Sequence, residues 1–220
     1  MIVGNGMMAK AFKDSCQTTI FASGVSNSLE TNEKKFQREE EILLNIIDSS
    51  LLIYFSTYSI YDNSVNQTPY VLHKLNMEEL IKGNSRNFLI FRLPQVVGKT
   101  NSPTLIKTLF DNIKNGKQFE LWINSQRNLI DIDDVVKIVE HIRNCMPKNK
   151  IWNIAAPHNV SVFTIVQIIE SILNKKANYT VVEKGCPYFI ESDNDDKMCN
   201  HLCINFDESY TRRIIEKYYV

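Results

Sequence analysis

Three side chains with proton-transfer chemistry fall within one stretch, LLIYFSTYSIYDNSVNQTPYVLHK (residues 51–74). Tyr70 and Lys74 stand four apart, so on a helix both project from one face. A cation held beside a phenol favours the phenolate and lowers the phenol pKa from its ordinary value of about 10. Thr57 ends the apolar run before them and brings a hydroxyl towards the same point. Hydroxyl, phenol and ammonium together make a proton-transfer device for an alcohol or a ketone. Taken alone, a Tyr and Lys at this spacing also describe an ordinary surface pair. The context decides between the two readings: Thr57 at a strand end, and a glycine turn at the start of the chain.

These residues need elements to hold them. Leu51 to Phe55 is apolar throughout, as expected of a central strand in a parallel sheet, and the helix behind it begins near Pro69 and ends near Gly83. Met1 to Val3 is a short strand that breaks into Gly4-x-Gly6-x-x-Ala9 and then apolar residues at helical spacing. Strand, glycine turn and helix in that order is a dinucleotide fingerprint: Gly4 for the tight turn, Gly6 for close approach of a pyrophosphate, Ala9 for close packing. The competing reading is a glycine-capped turn without a ligand. Further strands are expected at Thr18–Ala22, Asn87–Phe91, Phe119–Trp122 and Ile151–Ile154. Helices are expected over Asn32–Ser50, from Pro103 to Asn115, from the Asp133–Asp134 region, and from Ser161 to about Leu173. Alternating strands and helices imply an α/β, Rossmann-like parallel sheet. A strand near Tyr179, a Cys/His strand around Cys199 and a terminal helix from about Asp207 complete the chain.

In a full dinucleotide fold an acidic residue follows the glycines by about 20 residues and binds the adenosine ribose. Here that place reads FASGVSNS, without an acid, and too little chain separates Ala9 from Phe21 for the usual second and third strands. The sheet is therefore expected to have a reduced strand number. Residues 1–98 are assigned to the dinucleotide lobe, with sheet contributions from about 119–155, and residues 99–220 mainly to a smaller C-terminal substrate lobe.

Composition narrows the partners. Lys+Arg and Asp+Glu are both 25, so nothing favours a nucleic-acid or anionic-membrane surface. No apolar run reaches the roughly 18 residues of a membrane span, and MIVGNGMMAK is unlike a signal peptide, so a cytoplasmic chain is expected. Cys16, Cys145, Cys186, Cys199 and Cys203 are odd in number and scattered, which suggests free thiols. Cys199, His201 and Cys203 alternate as on one face of a strand, and without a CxxC pair no metal is assigned to them.

With GNGMMA, FSTYSIY, Tyr70-x-x-x-Lys74, FRLPQVVG and RNLIDIDDV in this order, the chain resembles the extended short-chain dehydrogenase/reductases, in their nucleotide-sugar epimerase, dehydratase and ketoreductase branch. The resemblance implies NAD or NADP as cofactor and a nucleotide-sugar as substrate. It gives Thr57, Tyr70 and Lys74 the catalytic roles, Tyr70 as general acid/base and Lys74 as the residue that holds the nicotinamide ribose and lowers the tyrosine's pKa. Gly4, Gly6, Met7, Met8, Ala22, Ser23, Pro94 and Gln95 fall where the family lines its cofactor. Thr57, Tyr58, Ser59 and Arg127 fall where it meets substrate, with the Arg127 guanidinium suited to a diphosphate. Tyr58-Ser59 stands where 4,6-dehydratases carry Asp-Glu, which argues against elimination. A ketoreductase is preferred to an epimerase, because a shortened adenosine site suits exchange of cofactor after each turnover. A non-catalytic nucleotide-sugar binder is the third reading. The resemblance is compatible with a homodimer formed through the helices that include the Tyr70 helix.

Overall fold

The computed structural model describes residues 1–15, 17–47, 51–187, 189 and 191–220. The expected free thiol at Cys16 lies outside them. In chain order the first half comprises β1 (Ile2–Val3), α1 (Met7–Ala11), β2 (Thr18–Phe21), α2 (Glu33–Leu44), β3 (Leu51–Thr57), a 3-10 turn (Tyr58–Tyr61), α3 (Pro69–Asn84) and β4 (Phe88–Leu93). Then come β5 (Gln95–Val97), α4 (Leu105–Asn115), β6 (Phe119–Trp122), β7 (Gln126–Arg127), β8 (Leu129–Asp131), α5 (Ile132–Cys145) and β9 (Lys150–Asn153). The chain closes with β10 (Val160–Ser161), α6 (Val162–Leu173), β11 (Tyr179–Val182), α7 (Asp196–His201) and α8 (Tyr210–Tyr219).

Five strands form one sheet in the order β1-β2-β3-β4-β9, every neighbouring pair parallel. Side chains alternate across it as the strand period requires. Leu51, Ile53, Leu89 and Phe91 face one layer with Val135, Ile138 and Ile142 of α5. Leu52, Tyr54 and Ile90 face the other with Leu43 of α2 and Met77 and Ile81 of α3. Both sheet faces are thus covered, which explains the uninterrupted apolar runs of β3 and β4. Among the described residues, only α1 separates β1 from β2, so β1 is an edge strand and the sheet is reduced as the sequence suggested. A second core holds α4, α6 and α8 against β6, through Ile106, Ile113, Leu121, Ile165, Ile169 and Ile214. The β6–β11, β7–β10 and β5–β8 pairs border that lobe.

Several helix limits are fixed by local chemistry. The Asn32 and Ser161 side chains cap α2 and α6, and left-handed Gly116 ends α4. Two expectations need correction. The α3 helix passes through Gly83 and stops at Ser85, which is extended. The Cys/His segment is a helix, not a strand: Asp195 accepts a bond from the Met198 amide and starts α7. Cys199 is consequently buried while His201 and Cys203 are exposed, and Cys203 has a positive φ of 54°. A capping carboxylate outweighs a period-two pattern over so few residues. No described helix is long and apolar enough to cross a membrane.

Candidate active site

Thr57 is the last residue of β3, buried, at the carboxyl end of the sheet. Its hydroxyl caps the 3-10 turn by accepting from the Ser59 amide at 3.1 Å and donates to Ser59 Oγ at 3.1 Å. Pro69 opens α3, its fixed φ already suited to a first helical turn, so Tyr70 lies in that turn and Lys74 one turn on. Both are buried.

The four-residue spacing does bring the pair to one side, with Lys74 Nζ 6.0 Å from the centre of the Tyr70 ring. The short contacts of the ammonium are elsewhere: Glu39 Oε1 at 2.9 Å and the Tyr54 hydroxyl at 3.0 Å. Lys74 thus stands beside Tyr70 while its short contacts are to groups that the spacing did not indicate. An ammonium only 4% exposed is tolerated beside an anion, and α2 supplies one in Glu39, which is fully buried. Glu39 also accepts from Tyr54 Oη at 2.8 Å and from the Val25 amide at 2.6 Å, and His73 Nε2 lies 3.0 Å away. Burial opposes its ionisation, but the Lys74 charge, His73 and the Val25 amide outweigh that and hold the carboxyl down at about 2. Burial and then Glu39 push the Tyr54 phenol well above its ordinary value. Of the three ammonium protons of Lys74, two are engaged by Glu39 and Tyr54, which leaves one for a further partner.

Of the residues expected to line the cofactor, Gly4 has φ of 130°, and a β-carbon there would collide with the Ala22 carbonyl. Only glycine fits this crossing of the first turn over Ala22–Ser23. Gly6 differs: a β-carbon would meet nothing within 4 Å, and it precedes α1 without any side-chain cap. Open space in front of uncapped amides suits a pyrophosphate, so the residues present fit the central part of a dinucleotide. Met7 packs its sulfur near Gly98, whereas Met8 packs against the sheet core. Ser23 Oγ meets Arg38 Nη2 at 3.4 Å. Pro94 and Gln95 lie where the chain leaves β4 for β5, and the Gln95 amide donates to the Asn128 carbonyl at 3.2 Å.

Of the residues expected to meet substrate, Tyr58 is turned inward. Its hydroxyl donates to the Glu191 carbonyl at 2.6 Å, and burial pushes its pKa above the phenol range. Ser59 remains half-buried beside Thr57. Arg127 is held on β7 in the second lobe, with Nη1 donating to the Gln126 carbonyl at 2.7 Å, and no described carboxylate pairs with it.

Sequence reasoning missed five members of this neighbourhood. Glu39, Tyr54 and His73 surround Lys74, while Glu78 and Arg92 form a two-pronged pair at 2.6 and 2.9 Å that also holds Ser56 Oγ at 2.5 Å. A signal for Glu39 existed. Phe36, Glu39 and Leu43 are the buried residues of α2, and their i, i+3, i+7 spacing puts the carboxylate on the apolar stripe.

Comparison with known proteins gives a consistent picture. No curated protein matches the sequence. Among solved structures, UDP-glucose 4-epimerase from Thermotoga maritima with UDP-glucose superposes with a TM-score of 0.72 at 14% identity, over 91% of this chain and 76% of that one. RMD from Pseudomonas aeruginosa, complexed with NADPH, gives 0.67 at 14% identity, over 91% and 81%. UDP-N-acetylglucosamine 4-epimerase from Bacillus cereus gives 0.65 at 19% identity, over 92% and 78%. At these identities the likeness is one of fold. The profile of the NAD dependent epimerase/dehydratase family matches residues 5–155, which takes in Gly6, Thr57, Tyr70 and Lys74, and the chain belongs to that family.

Proposed function

We propose that this chain is an NAD(P)-linked nucleotide-sugar oxidoreductase that acts as a ketoreductase. The observation that carries this reading is the truncated edge of the sheet. Among the described residues, β1 is the last strand on its side, and the segment between it and β2 holds only the short α1. The glycine turn suits a pyrophosphate, but among the described residues the part of a dinucleotide fold that grips the adenosine ribose has no counterpart next to β1. A cofactor held at its centre and not at that end exchanges readily, as a reductase needs and an epimerase does not. UDP-glucose in the Thermotoga maritima epimerase and NADPH in RMD show the ligand classes that related folds take.

When bound, NAD(P)H supplies the hydride. Tyr70 then gives its phenolic proton to the carbonyl oxygen of the keto-sugar, which becomes an alcohol. Thr57, already fixed at the strand end by Ser59, orients that oxygen. The remaining ammonium proton of Lys74 is available to a ribose hydroxyl. Arg127, in the second lobe, meets the diphosphate of the nucleotide-sugar as a two-pronged donor.

The test mixes the protein and NAD(P)H with a set of keto-sugar nucleotides and follows cofactor absorbance and sugar products together. One cofactor oxidised per sugar reduced supports the reductase. An isomerised sugar with no net cofactor consumption would indicate an epimerase instead. Tyr70→Phe should lower turnover by roughly 10²–10⁴-fold while leaving cofactor affinity intact; undiminished turnover would falsify the proton-transfer role. The buried Lys74–Glu39 pair is the specific observation that favours the binder reading, because it withdraws charge from Tyr70. Absence of any NAD(P)H fluorescence change up to millimolar cofactor would decide for that reading.

A further inference from the structure

Lys74 is faced by Glu39 from α2 and Tyr54 from β3, with Tyr70 and His73 nearby on its own helix. Glu40 of α2 lies 3.6 Å from His73 Nδ1, and Glu78 sits one turn further along α3. Glu39 is the hub: it touches Lys74, Tyr54, His73 and the Val25 amide, and so ties α2, β3 and α3 to the loop after β2. The loop is shaped around it. A β-carbon on Gly24 would stand 2.6 Å from Glu39 Oε1 and 2.8 Å from Lys74 Nζ.

We infer that Glu39 is a positioning residue: it locks Lys74 against the Ser23–Val25 loop, so that ammonium and loop meet the cofactor in one fixed arrangement. This rests on the oxidoreductase reading for its consequence, but not for the positioning itself. Two physical steps lead to it. A buried ammonium needs an anion beside it, and Glu39 supplies one at 2.9 Å. The same carboxylate accepts from the backbone of the loop, so lysine and loop are held in one arrangement before any ligand arrives, which removes an ordering cost from binding. Gly24 is part of the device because a side chain there would occupy the space of the ion pair.

Glu39→Gln keeps the shape and removes the charge. With the carboxylate gone, Lys74 and the loop lose their common anchor, and the KM for cofactor is expected to rise by about tenfold. Glu39→Asp restores a carboxylate and should recover much of that loss. Gly24→Ala displaces the pair but keeps its charges, so it should also raise the KM for cofactor by about tenfold. This variant also keeps the inference testable if Glu39→Gln does not fold. A readout without cofactor is the acylation of lysines by a small amine reagent, mapped by peptide mass spectrometry. Lys74 should react at least tenfold more slowly than exposed Lys34 in the wild type, and much of that protection should be lost in folded Glu39→Gln or Gly24→Ala. Wild-type protection in these variants, or a KM for cofactor unchanged in Glu39→Gln, would overturn the inference. If the wild type neither binds nor oxidises NAD(P)H, the reductase reading fails while the acylation result still decides the positioning role.

Discussion

Helix α3 carries two ion pairs one turn apart, and they are built differently. Lys74 and Glu39 are 4% and 0% exposed, and their partners come from α2, β3 and the loop after β2. Arg92 and Glu78 are 16% and 1% exposed, and Arg92 reaches outward to the Tyr61 hydroxyl at 2.8 Å. The first pair is sealed within the sheet–helix layer and the second opens towards the carboxyl end of β4. A sealed pair cannot recruit water when one member is lost, whereas an open one can. The difference separates a device that fixes a charge from one that ties a helix to a strand at the edge of the site.

The sharpest way to break the comparison is Lys74→Met, which leaves the Glu39 carboxylate buried without a cation. A loss of about 3–5 kcal/mol in urea unfolding is expected, and Lys74→Met combined with Glu39→Gln should recover most of it. A double variant no more stable than the single one would show that the charges are not what couples these positions. Acid provides the next largest effect. The Glu39 carboxyl is held at about 2 in the folded chain against an ordinary glutamate value of 4.5, so its contribution is present above pH 4.5 and lost as the pH falls towards 2. Roughly 3 kcal/mol should disappear across that window in the wild type and not in Glu39→Gln, as read by unfolding midpoints at successive pH values. Equal acid sensitivity in both proteins would count against the assignment. The smallest effect belongs to the open pair. Arg92→Lys keeps the charge but loses the fork on Glu78, and a cost of about 2 kcal/mol is expected because water can replace the lost contact. A cost above that of Lys74→Met would reverse the ranking of the two pairs.

Much of the architecture was readable locally. The all-apolar run of β3, the caps at Asn32 and Ser161 and the left-handed Gly116 are decided by side chains within a few residues of the backbone they satisfy. The absence of room for further strands after Ala9 was a matter of chain length, and β1 is accordingly an edge strand. The Cys199–Cys203 segment misled because a two-residue alternation over so short a span does not distinguish a strand from a capped turn of helix. The partner of the Tyr58 hydroxyl had no local signal, because it is a backbone carbonyl at Glu191, far along the chain.

By itself the sequence determined the parallel α/β plan, the glycine turn, and the presence of threonine, tyrosine and lysine at the strand end and helix start. Those features depend on periodicity, caps and spacing, which act over one or two turns of chain. Tertiary packing alone decided what Lys74 touches. In QREEEILL the helical spacing from Phe36 to Leu43 sets Glu39 on the apolar stripe, but only the seating of α2 against α3 and β3 brings it the ammonium it meets. A buried ammonium takes the anion that packing brings to it, and here that anion lies 35 residues away in the sequence.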